Sequence, residues 1–88
     1  MLVTAAQTQR LLAEFLLQQF PHIQEEDLAD DAPLLSSGRL DSLGVLELTA
    51  FIESSFAVRV QDSDMVPAHF ERLSYLVSFV EQRLPTSP

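Results

Sequence analysis

The sequence predicts an all-α fold, a bundle of four helices with a long first loop and a short third helix. Two patterns and the chain length carry that reading. Apolar residues recur at three- and four-residue spacing around Leu12, Leu48 and Leu76, as they do along the buried face of amphipathic helices. These stretches are bounded by residues that cap or stop helices: Thr4 and Pro21, Asp41, and Pro85. The 88 residues form a single domain, its core running from about residue 4 to 84 with a short tail at 85–88. A chain of this size buries only about 60 to 65% of the surface its unfolded form exposes. That suffices for a helical bundle but not for a large internal active site.

Thr4 is a suitable N-cap for a first helix to about Gln19, with Leu12, Phe15, Leu16 and Gln19 or Phe20 on one face. Pro21 stops it, having no N–H to extend the ladder. Residues 21–40 carry Glu25, Glu26, Asp27, Asp30 and Asp31 with Pro33 and Gly38, and read as a loop. Structureless loops of that length are uncommon in compact domains. Ile23, Leu28, Leu34 and Leu35 are therefore expected to pin it, with a helical turn at Gln24 to Leu28.

The second helix spans Ser42 to about Ser55. At about 100° per residue, Val45, Leu48, Ile52 and Phe56 form a core stripe, while Leu43, Leu46 and Ala50, with Glu47 alongside, fall nearly opposite. The second apolar sector calls for a partner, or else Leu43 and Leu46 pack under the long loop. Asp62 or Ser63 starts a short third segment, with Pro67 in its first turn, where the missing N–H does no harm. Leu73, Leu76, Val77, Val80 and Leu84 mark the last helix before Pro85. Phe51, Phe56, Phe70 and Phe79 are expected in the core.

Thirteen acidic residues against five basic ones, all arginine, give a formal charge of −8. This excludes nucleic acid, whose phosphates require a basic surface, and favours basic partners. There is no cysteine, hence no disulfide, no thiolate metal site and no thiol for thioester chemistry. Asp62-Ser63-Asp64 lacks the glycine and terminal glutamate of a calcium loop and reads as a capping cluster. His22 and His69 lack metal-ligand spacing, so no metal site is expected and each is read as a surface or loop-packing residue. Neither a G-x-S-x-G turn nor a glycine-rich phosphate loop is present, so the chain is not read as an enzyme. The apolar run Leu11 to Leu17 is too short and too interrupted for a signal peptide, and no segment approaches the ~20 apolar residues of a membrane span. A cytoplasmic monomer is expected.

One constellation carries chemistry. In Gly38-Arg39-Leu40-Asp41-Ser42-Leu43-Gly44, Asp41 as N-cap accepts from the first free N–H groups, so the helix starts at Ser42 with its hydroxyl outward. An anion on that oxygen would meet unpaired N–H donors and the positive end of the helix dipole, an effect of about 0.3 to 1 kcal/mol at an exposed site. Gly44 adds no side chain beside it. An ordinary helix start would also look like this.

The stretch Leu28 to Leu84 resembles the acyl and peptidyl carrier proteins, of the free-standing type. Asp31-Ala32-Pro33-Leu34-Leu35 is similar to the family's loop entry, Leu40-Asp41-Ser42-Leu43-Gly44 to its attachment turn, and Val45-Leu46-Glu47-Leu48 to its second helix. Phe56, Val58 and Val60 resemble the strand-like connector, Val66-Pro67-Ala68-His69-Phe70 the short third helix, and Leu73 to Leu84 the last one. Glu71 and Arg72 depart from the pattern, standing where the family has a Ser or Thr cap.

The resemblance implies 4'-phosphopantetheine on Ser42, donated by coenzyme A through a phosphopantetheinyl transferase, with Asp41 assisting the transferase's magnesium site. It makes Leu43, Leu46, Glu47 and Ala50 the partner-binding surface. Partners would be an acyl- or aminoacyl-adenylating ligase and synthase or acyltransferase enzymes. After Glu47 and Glu53, the second helix turns to Ser54 and Ser55. That modest acidity favours a dedicated carrier in secondary metabolism. Two alternatives stay open: an aminoacyl carrier serving its own ligase, and an unmodified helical adapter docking through the same face.

Overall fold

The computed structural model describes residues 4–29 and 31–84; the expected tail, Pro85 as a helix stop, and Asp30 lie outside the described residues. The four helices are α1 (Ala5–Gln19), α2 (Ser42–Phe56), α3 (Pro67–Phe70) and α4 (Leu73–Arg83), with 3₁₀ turns at Glu25–Leu28 and Asp62–Asp64. They form a body of 39 × 26 × 21 Å.

Helix α1 begins where the sequence places it. Thr4 and Gln7 form a reciprocal capping box, with Gln7 N–H donating to Thr4 Oγ1 at 3.1 Å and Thr4 N–H to Gln7 Oε1 at 2.9 Å. Leu12, Leu16 and Phe20 are buried along one face, and α1 packs chiefly on α4. Between these two helices the buried Thr8 hydroxyl donates to Glu81 Oε2 at 2.8 Å, a pairing across 73 residues that helical spacing does not reveal. Toward α2, Phe15 and Phe51 stack at 4.2 Å between ring centres, both half-buried.

The loop is ordered by the expected anchors: Ile23 and Leu34 are buried, Leu28 and Leu35 pack against the core, and Leu40 joins them. In α2 the buried stripe is Gly44, Leu48, Ile52 and Phe56, with Val45 only half-buried at its edge. Complete burial of a side chain such as Leu48 or Ile52 contributes about 1.5 to 3 kcal/mol. Ala57 ends the helix in the left-handed conformation (φ 55°), where glycine is usual. The connector beyond it is extended chain, with Val58 buried and Val60 N–H donating to Glu53 Oε2 at 2.9 Å; no strand occurs among the described residues.

The third segment differs from expectation by splitting in two. Asp64 Oδ2 accepts from the N-cap Gln61 N–H and so fixes the start of the 3₁₀ turn, which ends at Met65, and α3 starts separately with Pro67 at its first position.

Candidate functional site

Asp41, with φ −106° and ψ −176°, stands just outside α2, and its Oδ1 accepts from Gly44 N–H at 2.8 Å. Ser42 is therefore the first helical residue and is exposed. Its N–H and that of Leu43 have no acceptor within the helix, as at any helix start. The turn reaching Asp41 is fixed behind it. Leu40 N–H donates to Leu34 O at 2.9 Å, and His22 Nε2 donates to Arg39 O at 2.7 Å. Arg39 pairs with Asp27 at 3.4 Å.

Gly44 serves a purpose other than the one expected. It is buried, and a Cβ there would stand 2.8 Å from Leu40 Cδ1 and 3.2 Å from Phe20 Cε1. The missing side chain makes room for the core beneath the turn, not for the Ser42 oxygen above it.

Of the other residues singled out, Leu43 is 64% and Leu46 60% exposed, so neither packs under the loop. Ala50 is exposed with them. Glu47 stands apart: half-buried on the flank toward α1, its Oε2 accepts from Gln19 Nε2 at 3.4 Å. His22 is an exposed loop-packing residue, and no group of three or more metal-ligating side chains occurs among the described residues.

Beside Ser42 runs an open apolar groove of about 380 Å³. Ser42, Val45 and Leu46 contribute one part of its lining, Leu35 another, and Met65, Val66, Pro67 and Phe70 the rest. Thr49 Oγ1 donates to Val45 O at 2.8 Å and lies 3.4 Å from Met65 Sδ, tying α2 to that last segment. Sequence spacing could not assemble this groove, because its lining comes from three stretches of chain.

The loop part of the groove is held by a residue that looked like a defect. Glu71 replaces the expected cap, and Arg72 at the N-cap of α4 makes no side-chain cap bond. Instead Glu71 Oε1 accepts from Leu35 N–H at 3.1 Å and Ser36 N–H at 2.9 Å, while its carbonyl accepts from Leu34 N–H at 2.6 Å. Hydrogen bonds from Ser36, side chain then backbone, and from Leu35 N–H, with the nearby Arg72 charge, hold the Glu71 carboxyl below its ordinary range against a smaller opposing effect of burial.

A family model describing the phosphopantetheine attachment site matches residues 11–78, well over half of the chain and centred on this helix start. The chain belongs to this family of carrier proteins. The carrier is also similar to the D-alanyl carrier proteins of Streptococcus pyogenes serotypes M5 (strain Manfredo), M49 (strain NZ131) and M1. Each is 30% identical over 73 residues, covering 81% of this carrier and 92% of the relative. Carriers of this family are not enzymes; they bear covalent 4'-phosphopantetheine and work with the transferases that install it and the ligases or synthases that use it. No helix of this carrier is long and apolar enough, among the described residues, to cross a membrane.

Proposed function

We propose that Ser42 carries the phosphopantetheine arm and that the protein presents aminoacyl or acyl groups to biosynthetic enzymes from the start of α2. The observation that carries this reading is the exposed Ser42, placed at a capped helix start beside an apolar groove. The residues fit such a group. The N–H groups of Ser42 and Leu43 suit the phosphodiester, and the apolar lining suits the uncharged part of the arm. When attached, the arm supplies the thiol that this cysteine-free chain lacks, and cargo is held on it as a thioester. The chain itself positions and exposes: Asp41 fixes the helix start, Leu40 and Gly44 hold the turn, and Leu43, Leu46 and Ala50 offer an apolar surface for docking, with Glu47 at its flank.

The likeness to D-alanyl carrier proteins over nearly their whole length favours an aminoacyl cargo loaded by an adenylating ligase. A dedicated route such as secondary metabolism is part of the proposal and rests on the modest acidity of α2; a cytoplasmic location is proposed with it.

Intact mass after incubation with coenzyme A and a broad-specificity phosphopantetheinyl transferase tests the assignment. The wild type should gain one phosphopantetheine and Ser42→Ala none, with its melting temperature nearly unchanged. An unmodified wild type would favour the adapter reading, and modification of Ser42→Ala would move the site elsewhere.

A further inference from the structure

We infer that Asp64 is a positioning residue for the wall of the groove beside Ser42, acting through its ion pair with Arg83. The inference rests on the reading that Ser42 bears the arm. Met65, Val66, Pro67 and Phe70 line the groove, yet they belong to a stretch with little regular structure. The turn ahead of them has three residues and α3 only four, too few for backbone hydrogen bonds alone to hold in place.

What holds them converges on Asp64, which is 5% exposed. Its Oδ2 accepts from Gln61 N–H at 3.0 Å, and its own N–H donates to Gln61 O at 2.9 Å. Its carbonyl accepts from Val66 N–H at 2.9 Å and from His69 Nδ1 at 2.8 Å. Its Oδ1 forms an ion pair with Arg83 at the end of α4. Behind the pair, the buried Phe79 ring takes the His69 ring on a near-parallel stack at 4.6 Å, with the Arg83 guanidinium 5.4 Å from its centre.

Consequences follow for the neighbouring residues. A buried carboxylate whose cation is removed is strongly unfavourable. Without Arg83 the Asp64 carboxylate keeps only the Gln61 N–H, and the drive of its unpaired oxygen toward water shifts Met65 and Val66, next in the chain. The groove then loses its wall while the helices behind it stay packed. The charge, more than the space Arg83 fills, fixes the wall. Removing both charges should therefore restore what removing one disrupts.

Full-length protein is modified at Ser42 with coenzyme A bearing a solvatochromic fluorophore on its thiol, and mass verifies one attachment in each variant. Amide hydrogen exchange on the unmodified protein reads the wall independently of attachment. Arg83→Met should shift the emission to the red and speed exchange of the Val66 and His69 amides at least tenfold, leaving α1 amides unchanged. Arg83→Lys and the double variant Asp64→Asn with Arg83→Met should both return to wild-type values. Unchanged emission in a folded Arg83→Met, or no recovery in the double variant, overturns the inference. Should Arg83→Met fail to fold, the double variant must refold, and its failure to do so counts equally against the charge. Absence of any mass gain in the wild type would instead sink the Ser42 assignment, with exchange still judging the ion pair.

Discussion

Replacing Gly44 with alanine sets two opposing effects against each other inside α2. In a helix interior alanine is favoured over glycine by about 1 kcal/mol. At this position the new Cβ would stand 2.8 Å from Leu40 Cδ1 and 3.2 Å from Phe20 Cε1, where ordinary carbon contacts lie at about 3.5 to 4.0 Å. Leu40 would have to retreat by roughly 1 Å to reach that range, and it is 2% exposed and part of the core cluster, so its movement disturbs other buried side chains. Overpacking of this kind costs about 1 to 3 kcal/mol. The clash therefore outweighs the propensity gain, and Gly44→Ala should destabilise by about 1 kcal/mol, lowering the melting temperature by about 4 to 8 °C in a domain of this size. Urea unfolding followed by far-ultraviolet circular dichroism measures it, together with Leu40→Val, which withdraws the clashing methyl, and the double variant. The pair should couple favourably by at least ~0.5 kcal/mol. A higher melting temperature for Gly44→Ala, or strictly additive effects, would refute the contact.

The other predictions concern burial, acidity and docking. Ile52 is 0% exposed, so Ile52→Ala should destabilise by about 2 to 5 kcal/mol, whereas Leu46→Ala should stay within about 0.5 kcal/mol of wild type in the same denaturation series. The Asp64 carboxyl is held below its ordinary value by the Gln61 backbone hydrogen bond and by Arg83, against burial, and Glu71 by Ser36 and Leu35. A carboxyl depressed in the folded state adds stability above its unfolded pKa and loses it as pH falls through the folded one. Melting temperature should thus decline as pH drops below the ordinary carboxyl values of 4.5 for Glu71 and 3.8 for Asp64, and Glu71→Gln should flatten the upper part of that decline. Against a loading enzyme, Leu46→Asp should weaken affinity, since a buried apolar anchor is worth more than ~2 kcal/mol. Glu47→Arg should instead change the encounter rate and its salt dependence, and equal kinetics for both would place docking elsewhere.

Apolar spacing made α1, α2 and α4 legible, with Thr4 and Asp41 marking the starts of the first two; α4, whose N-cap Arg72 makes no side-chain cap bond, was legible from its spacing alone. The helix start at Ser42 was legible for the same reason: an aspartate before an apolar run has few other uses. What could not be read was pairing across distance. Glu71 meets Leu35 and Ser36 from 36 and 35 residues away, and in sequence it looks only like a missing cap. Asp64 looked like a capping residue and is one, but its contact with Arg83 depends on how the α3 segment folds back on α4. Gly44 was misassigned because helical phase gives the direction of a Cβ without showing which atoms wait there.

The bond from Thr8 to Glu81 has a topological corollary. Thr8 lies in the first turn of α1 and Glu81 in the last turn of α4, and their side chains touch. Residues 4 and 84 therefore lie within about a turn of helix on either side of one contact, roughly 5 to 6 Å of rise each. A linker of a few residues can join them, and the chain can be reopened in the exposed loop around Ser37 and Gly38. Such a circular permutant would keep the same core while making the second helix the first, so the order in which the helices leave the ribosome can be separated from the fold they reach.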